Sequence, residues 1–159
     1  MKSLWTLHTF ALVFTFASVT IVSAAGANEA DQIHPAVNAQ YLYDLVRQIQ
    51  QNADRQKRTA LARELRLDVD NMPPSMRGTL DLRVINAIAE LLRDDNDSIR
   101  FYAAIALGRI GPRARSTLPA LSYALAHPAP PIPGPLPLEP EYGSSAVIPM
   151  SIKKINGNP

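Results

Sequence analysis

Ile85, Ile88 and Leu92 return 33 residues later as Leu118, Leu121 and Leu125. Around both sets the apolar residues recur every three or four positions, the spacing that lines one face of an α-helix. A helix with one apolar face needs a partner. When the unit returns at a fixed period of roughly 20–50 residues, the natural partner is its own next copy. This recurrence points to helix pairs stacked side by side and away from a sheet-based core.

Residues 80–93 (LDLRVINAIAELLR) carry Val84, Ile85, Ile88, Leu91 and Leu92 as a continuous stripe. The run Asp94 to Asp97 stops that helix, and Asn96 or Asp97 is placed to cap the next one, Ser98 to Ile110. That helix turns Ile99, Ala103, Ala106, Leu107 and Ile110 inward, with small residues that let a neighbour approach closely; Gly111-Pro112 ends it. A further helix, Ser116 to Ala126, presents Leu118, Leu121 and Leu125. Upstream, Tyr41, Leu42, Leu45, Val46 and Ile49 mark a helix from Pro35 to Asn52. Asp54 is placed to cap another that reaches about Leu67, with Ala60, Leu61 and Leu65 inside. Met72-Pro73-Pro74-Ser75 predicts a loop from Asp68 to Gly78. Nothing in 35–126 alternates as a strand does, so the expectation is an all-α domain of about five helices.

At Val84 to Leu125 the chain resembles a HEAT repeat, of the bacterial kind grouped with the phycobilisome-lyase HEAT-like repeats. The likeness rests on Ala89-Glu90-Leu91-Leu92-Arg93-Asp94-Asp95, the pair Ile99-Arg100, the run from Ala103 to Gly111, and Leu118-Pro119-Ala120-Leu121. The resemblance implies a short helical-hairpin solenoid that offers a surface to a protein partner. It also implies a ladder between repeats, with Asp94 or Asp95 at the turn and Arg100 in the second helix. Residues 35–67 lack the motif and read as a degenerate repeat or an unrelated capping hairpin. After Leu125, proline-rich sequence stands where a second helix would follow, so the array reads as one repeat and half of another. Its apolar ends then predict burial by 35–67, burial by 146–152, or self-association through the solenoid ends.

The flanks set the domain limits. Lys2 precedes an apolar run over residues 4–22, and small residues follow at Ser23 to Ala27, which reads as an export signal over 1–25 cut after Ala24, Ala25 or Ala27. The alternative is an uncleaved anchor. A cleaved signal implies a periplasmic or secreted protein, with the α-helical domain at 26–126. Residues 127–159 form the tail, expected to be largely irregular: seven prolines fall within 128–140, which favours polyproline II. The patch Ala146 to Ile152 reads as a docking strand or the end of a spacer.

Loss of Lys2 with the signal leaves 15 basic against 14 acidic side chains, so the strong positive excess of nucleic-acid binders is missing. There is no cysteine, which excludes disulfides and thiolate metal sites. His34 and His127 flank the domain and form no ligand set; Asp94, Asp95 and Asp97 lack the spaced oxygens and glycine turn of a calcium loop. No catalytic constellation and no cofactor are expected. The expected function is a non-catalytic scaffold of the cell envelope. Its contact surface is Arg55, Lys57, Arg58 and Arg63 of the second helix, joined by Arg113 and Arg115. Two other readings fit the same residues. One is an enzyme-assisting protein of the bilin-lyase type, which the resemblance suggests. The other is weak association with membrane or envelope through the basic helix or the tail.

Overall fold

A computed structural model describes residues 38–130 and 143–157. The expected export segment 1–25, Pro35 and most of the proline-rich run lie outside the described residues. The described chain forms helices α1 (Ala39–Gln51), α2 (Arg55–Asn71), the single turn α3 (Pro74–Gly78), α4 (Leu82–Glu90), α5 (Asp97–Ile110), α6 (Leu118–Ala126) and α7 (Ser144–Ile155). Two 3-10 segments, Leu91–Arg93 and Gly111–Thr117, extend α4 and join α5 to α6. Among the described residues there is no strand.

Short polar side chains fix where the helices begin. Asn38 accepts the Tyr41 amide at 2.9 Å, and Asp54 accepts those of Gln56 and Lys57 at 2.8 and 3.1 Å. Asp81 accepts the Arg83 amide at 2.8 Å, and Asn96 accepts that of Ser98 at 3.0 Å. Each satisfies one or two of the amides that a helix start leaves unpaired. Gly111, at φ 73°, ends α5 in a conformation that favours glycine.

The helices pair as α1 with α2, α4 with α5, and α6 with α7. The first members form one layer, α1 against α4 and α4 against α6; the second members form another, α2 against α5 and α5 against α7. The core lies between the layers and holds Leu42, Ile49, Leu65, Ile85, Ile88, Leu92, Ile99, Leu107 and Leu121, all fully buried. Helix α5 is central. Ala103, Ala104, Ala106 and Gly108 are buried along it, so α2 and α7 approach on either side.

Three expectations need correction. The stretch from Asp68 to Gly78 is not all loop: α2 continues to Asn71, and Pro74 opens α3, since a first-turn proline forfeits no helical hydrogen bond. In α6, Leu125 is 39% exposed and the buried residues are Leu121 and Ala124, so the strict 33-residue match fails at its last member. The largest correction concerns the tail. It was expected to be largely irregular, yet Ser144–Ile155 is a helix whose Ser144, Ile148, Ser151 and Ile155 are buried. A helix therefore does follow α6, displaced past the prolines, and packs on α5 and α6. Pro149, inside α7, sits on its exposed side, where losing one backbone hydrogen bond is tolerable against full burial of Ile148 and Ile155.

Asp97 holds the start of α7. Its Oδ2 accepts the Ser144 amide at 2.8 Å and its Oδ1 accepts the Ser144 hydroxyl at 2.5 Å. A side chain of α5 thus caps a helix 47 residues downstream. Asp97→Ala is expected to cost about 1 kcal/mol and to raise amide hydrogen exchange in α7 before the rest of the protein. Uniform protection across α5 and α7 in the variant would refute that anchoring role.

Candidate interaction surface

Two arginines tie the hairpins together at their turns. The Arg58 Nε donates to the Ile49 carbonyl at the end of α1 at 2.9 Å, while its guanidinium pairs with the Asp94 carboxylate and lies 3.7 Å from Asp95 in the following turn. Arg100, 42 positions on, repeats the arrangement: its Nε donates to the Asp94 carbonyl and its Nη1 to the His127 carbonyl after α6 at 2.7 Å. Each arginine clamps the turn of its own hairpin and reaches the turn of the next. Asp94 and Arg100, the expected ladder residues, therefore meet through a backbone carbonyl, and the carboxylate of Asp94 serves Arg58 instead.

A buried amide adds a second rung. Asn96, 1% exposed, donates from Nδ2 to the Thr59 hydroxyl at 2.9 Å, and Thr59 donates in turn to the Arg55 carbonyl at 3.0 Å. The Asn96 amide reaches Asp94 Oδ1 at 2.9 Å. Burial pushes the Asp94 carboxyl upward, against the pull of the Asn96 amide and the Arg58 charge, while its hydrogen bond to Asp94 and the cation hold Asp95 below the ordinary range. Asp70 adds a polar link, 2.9 Å from Arg66 on its own helix and 2.7 Å from Arg109 of α5.

The six residues of the expected basic surface divide. Lys57 and Arg63 are exposed on α2, and Arg55 is half-buried on the same helix. Arg58 belongs to the turn clamp, with a side chain only 19% exposed, which corrects its assignment to the contact surface. Arg113 and Arg115 are exposed on the 3-10 segment Gly111–Thr117, which packs against α3, α4, α5, α6 and α7. Arg113 Nε donates to the Leu80 carbonyl at 3.2 Å.

A hollow of about 600 Å³ opens where α3 meets the end of α5, over Pro74, Gly111 and Pro112. Three arginines line it: Arg77, Arg109 and Arg113. Sequence reasoning passed over Arg77, far from the other two in the sequence, and Arg109, four positions before Arg113; they line one hollow only because α3 folds back on α5. It also missed Thr59, Asn96 and Ser144 as partners. The signal available was the 42-residue offset shared by Asp54 and Asn96, Arg58 and Arg100, and Leu65 and Leu107.

The acidic turn does not form a metal cluster. Asp94 is directed to Arg58 and Asp97 to Ser144, and among the described residues no three carboxylate or imidazole groups converge. His127 stacks on Tyr123 with ring centroids 4.0 Å apart. No described helix is long and apolar enough to cross a membrane. No protein-family model matches the chain, and neither does any curated protein or solved structure.

Proposed function

We propose that this protein is a non-catalytic scaffold of the HEAT-like kind, three helical hairpins long, that presents its exposed helical surface to a protein partner in the cell envelope. The observation that carries the reading is the repeated clamp. Arg58 and Arg100 occupy the same place in successive hairpins, and each bonds a carbonyl at its own turn and reaches the next turn, Arg58 to the Asp94 carboxylate and Arg100 to the His127 carbonyl. Stacked units locked at their turns give a stiff surface, which suits recognition without a rearrangement of the backbone. Polar side chains at the turns are committed to the stack, which leaves Lys57 and Arg63 on α2 as the cations for an acidic partner. The proline-rich residues 128–140 fit a spacer between α6 and α7 on the same reading.

The test is crosslinking capture from the native envelope with the full chain, since ending it at Ala126 would remove the buried residues of α7. Lys57→Glu with Arg63→Glu is expected to lose a partner that the parent captures. Replacing 128–140 by an equally long Gly/Ser linker is expected to keep it. Loss with the linker alone would move recognition to the prolines. Visible absorption by the purified protein would replace the scaffold by the pigment-handling reading.

A further inference from the structure

We propose that the hollow bounded by Arg77, Arg109 and Arg113 is a binding site for a phosphate-bearing ligand. The three cations come from separate elements: Arg77 from the end of α3, Arg109 from the last turn of α5 and Arg113 from the 3-10 segment. Among the described residues, no carboxylate lines the hollow. Two acids that act on these cations are engaged elsewhere as well. Asp70 holds Arg109 through Nε and is shared with Arg66, while Asp81 caps α4, pairs with Arg83 and feels the Arg113 charge. Arg77 has no carboxylate partner among the described residues.

Two of the three guanidiniums are held in place by groups outside the hollow. Arg109 is held by Asp70 and Arg113 by the Leu80 carbonyl at 3.2 Å, each through Nε. Bringing like charges together around a cavity carries a repulsive cost that a structural role does not require, and an anion between them relieves it. Planar guanidiniums present paired donors that match the oxygens of a phosphate. A doubly charged phosphomonoester answers three cations better than a singly charged diester. Pro74, Ile110 and Pro112, which also line the hollow, suit the carbon skeleton attached to it. This site is separate from the surface proposed for the protein partner, so either can fail alone.

Calorimetric titration of the purified protein with inorganic phosphate tests the site, with succinate as a dianion of different shape. Saturable phosphate binding is expected, weakened roughly tenfold by Arg77→Ala and further by Arg77→Ala with Arg113→Ala, in line with the loss of charge-assisted hydrogen bonds. Lys57→Ala with Arg63→Ala is expected to leave it unchanged. Circular dichroism of each variant shows whether the fold survives, and Arg77→Lys is expected to recover part of the affinity. Absent saturation, equal binding of succinate, or an equal loss from the Lys57 and Arg63 variant would overturn the proposal. Sedimentation with phosphatidic acid vesicles, compared with phosphatidylglycerol vesicles, then separates the sources. Preference for phosphatidic acid that free phosphate competes away assigns a lipid headgroup. Phosphate binding without vesicle binding assigns a soluble phosphomonoester.

Discussion

Gly108→Ala is expected to lower stability by about 2 kcal/mol, although helix propensity alone predicts a gain of about 1 kcal/mol. A Cβ at this position would lie 2.9 Å from the Ser151 Oγ and 3.0 Å from both its Cα and Cβ. The hydroxyl can rotate away, but the Cα belongs to the backbone of α7 and cannot move without the helix. Burial of Ile148 and Ile155 holds that helix down, so the overlap is resolved by shifting α7 and loosening its apolar contacts. Urea denaturation measures the effect, and its sign decides the matter. A gain in stability would mean that α7 is not packed against α5 in solution. Ser151→Gly in the same chain removes two of the three overlaps, so the double variant is expected to lose less than the sum of the single ones.

Arg58→Ala is expected to cost about 2–3 kcal/mol, and Asp94→Asn less than about 1 kcal/mol. Removing the arginine leaves the Ile49 carbonyl without this donor and takes away the cation that Asp94 and Asp95 share. Replacing Asp94 removes a carboxyl that burial already disfavours as an ion, and an amide oxygen can still accept the Asn96 amide. The asymmetry has a pH consequence. Because the folded state raises the Asp94 carboxyl, this group favours folding when protonated, and that contribution is lost as pH rises through its raised pKa. Asp95 has the opposite sign: its depressed pKa gives a contribution present above the ordinary carboxylate range and lost as pH falls. Denaturation midpoints of the two single variants between pH 4 and 7 check this. Equal losses for Arg58→Ala and Asp94→Asn at neutral pH would refute the clamp as described.

Much of the architecture was legible because it follows from local chemistry. Three- and four-residue spacing marked α1, α2, α4, α5 and α6, and Asp54, Asn96 and Gly111 marked boundaries where the structure has them. These are properties of one turn of chain, and neighbouring residues decide them. Helix α7 carries the same spacing at Ser144, Ile148, Ser151 and Ile155, but the prolines before it and Pro149 within it argue against a helix on local grounds. Only the face of α5 that it covers, with Gly108 narrow enough to admit Ser151, makes that helix worth forming.

The surfaces divided along the same line. Lys57 and Arg63 could be read as exposed cations because a charged residue opposite an apolar stripe faces water by geometry alone. Arg58 lies one residue from Lys57, yet stacking brings the Asp94 turn against it and draws it into the clamp. Arg109 and Arg113 lie four positions apart, but Arg77 is 32 residues before Arg109 and joins them along one hollow only through the fold-back of α3. By itself the sequence determined the all-helical class, most limits of α1, α2, α4, α5 and α6, and the inward faces of α1, α4 and α5, since those depend on residues within a few positions of each other. Ala60 of α2 and Leu125 of α6, expected inside, are exposed. The tertiary structure decided which turns clamp, that the tail packs on α5, and where the cations gather, since those depend on groups 27 to 47 residues apart being brought together.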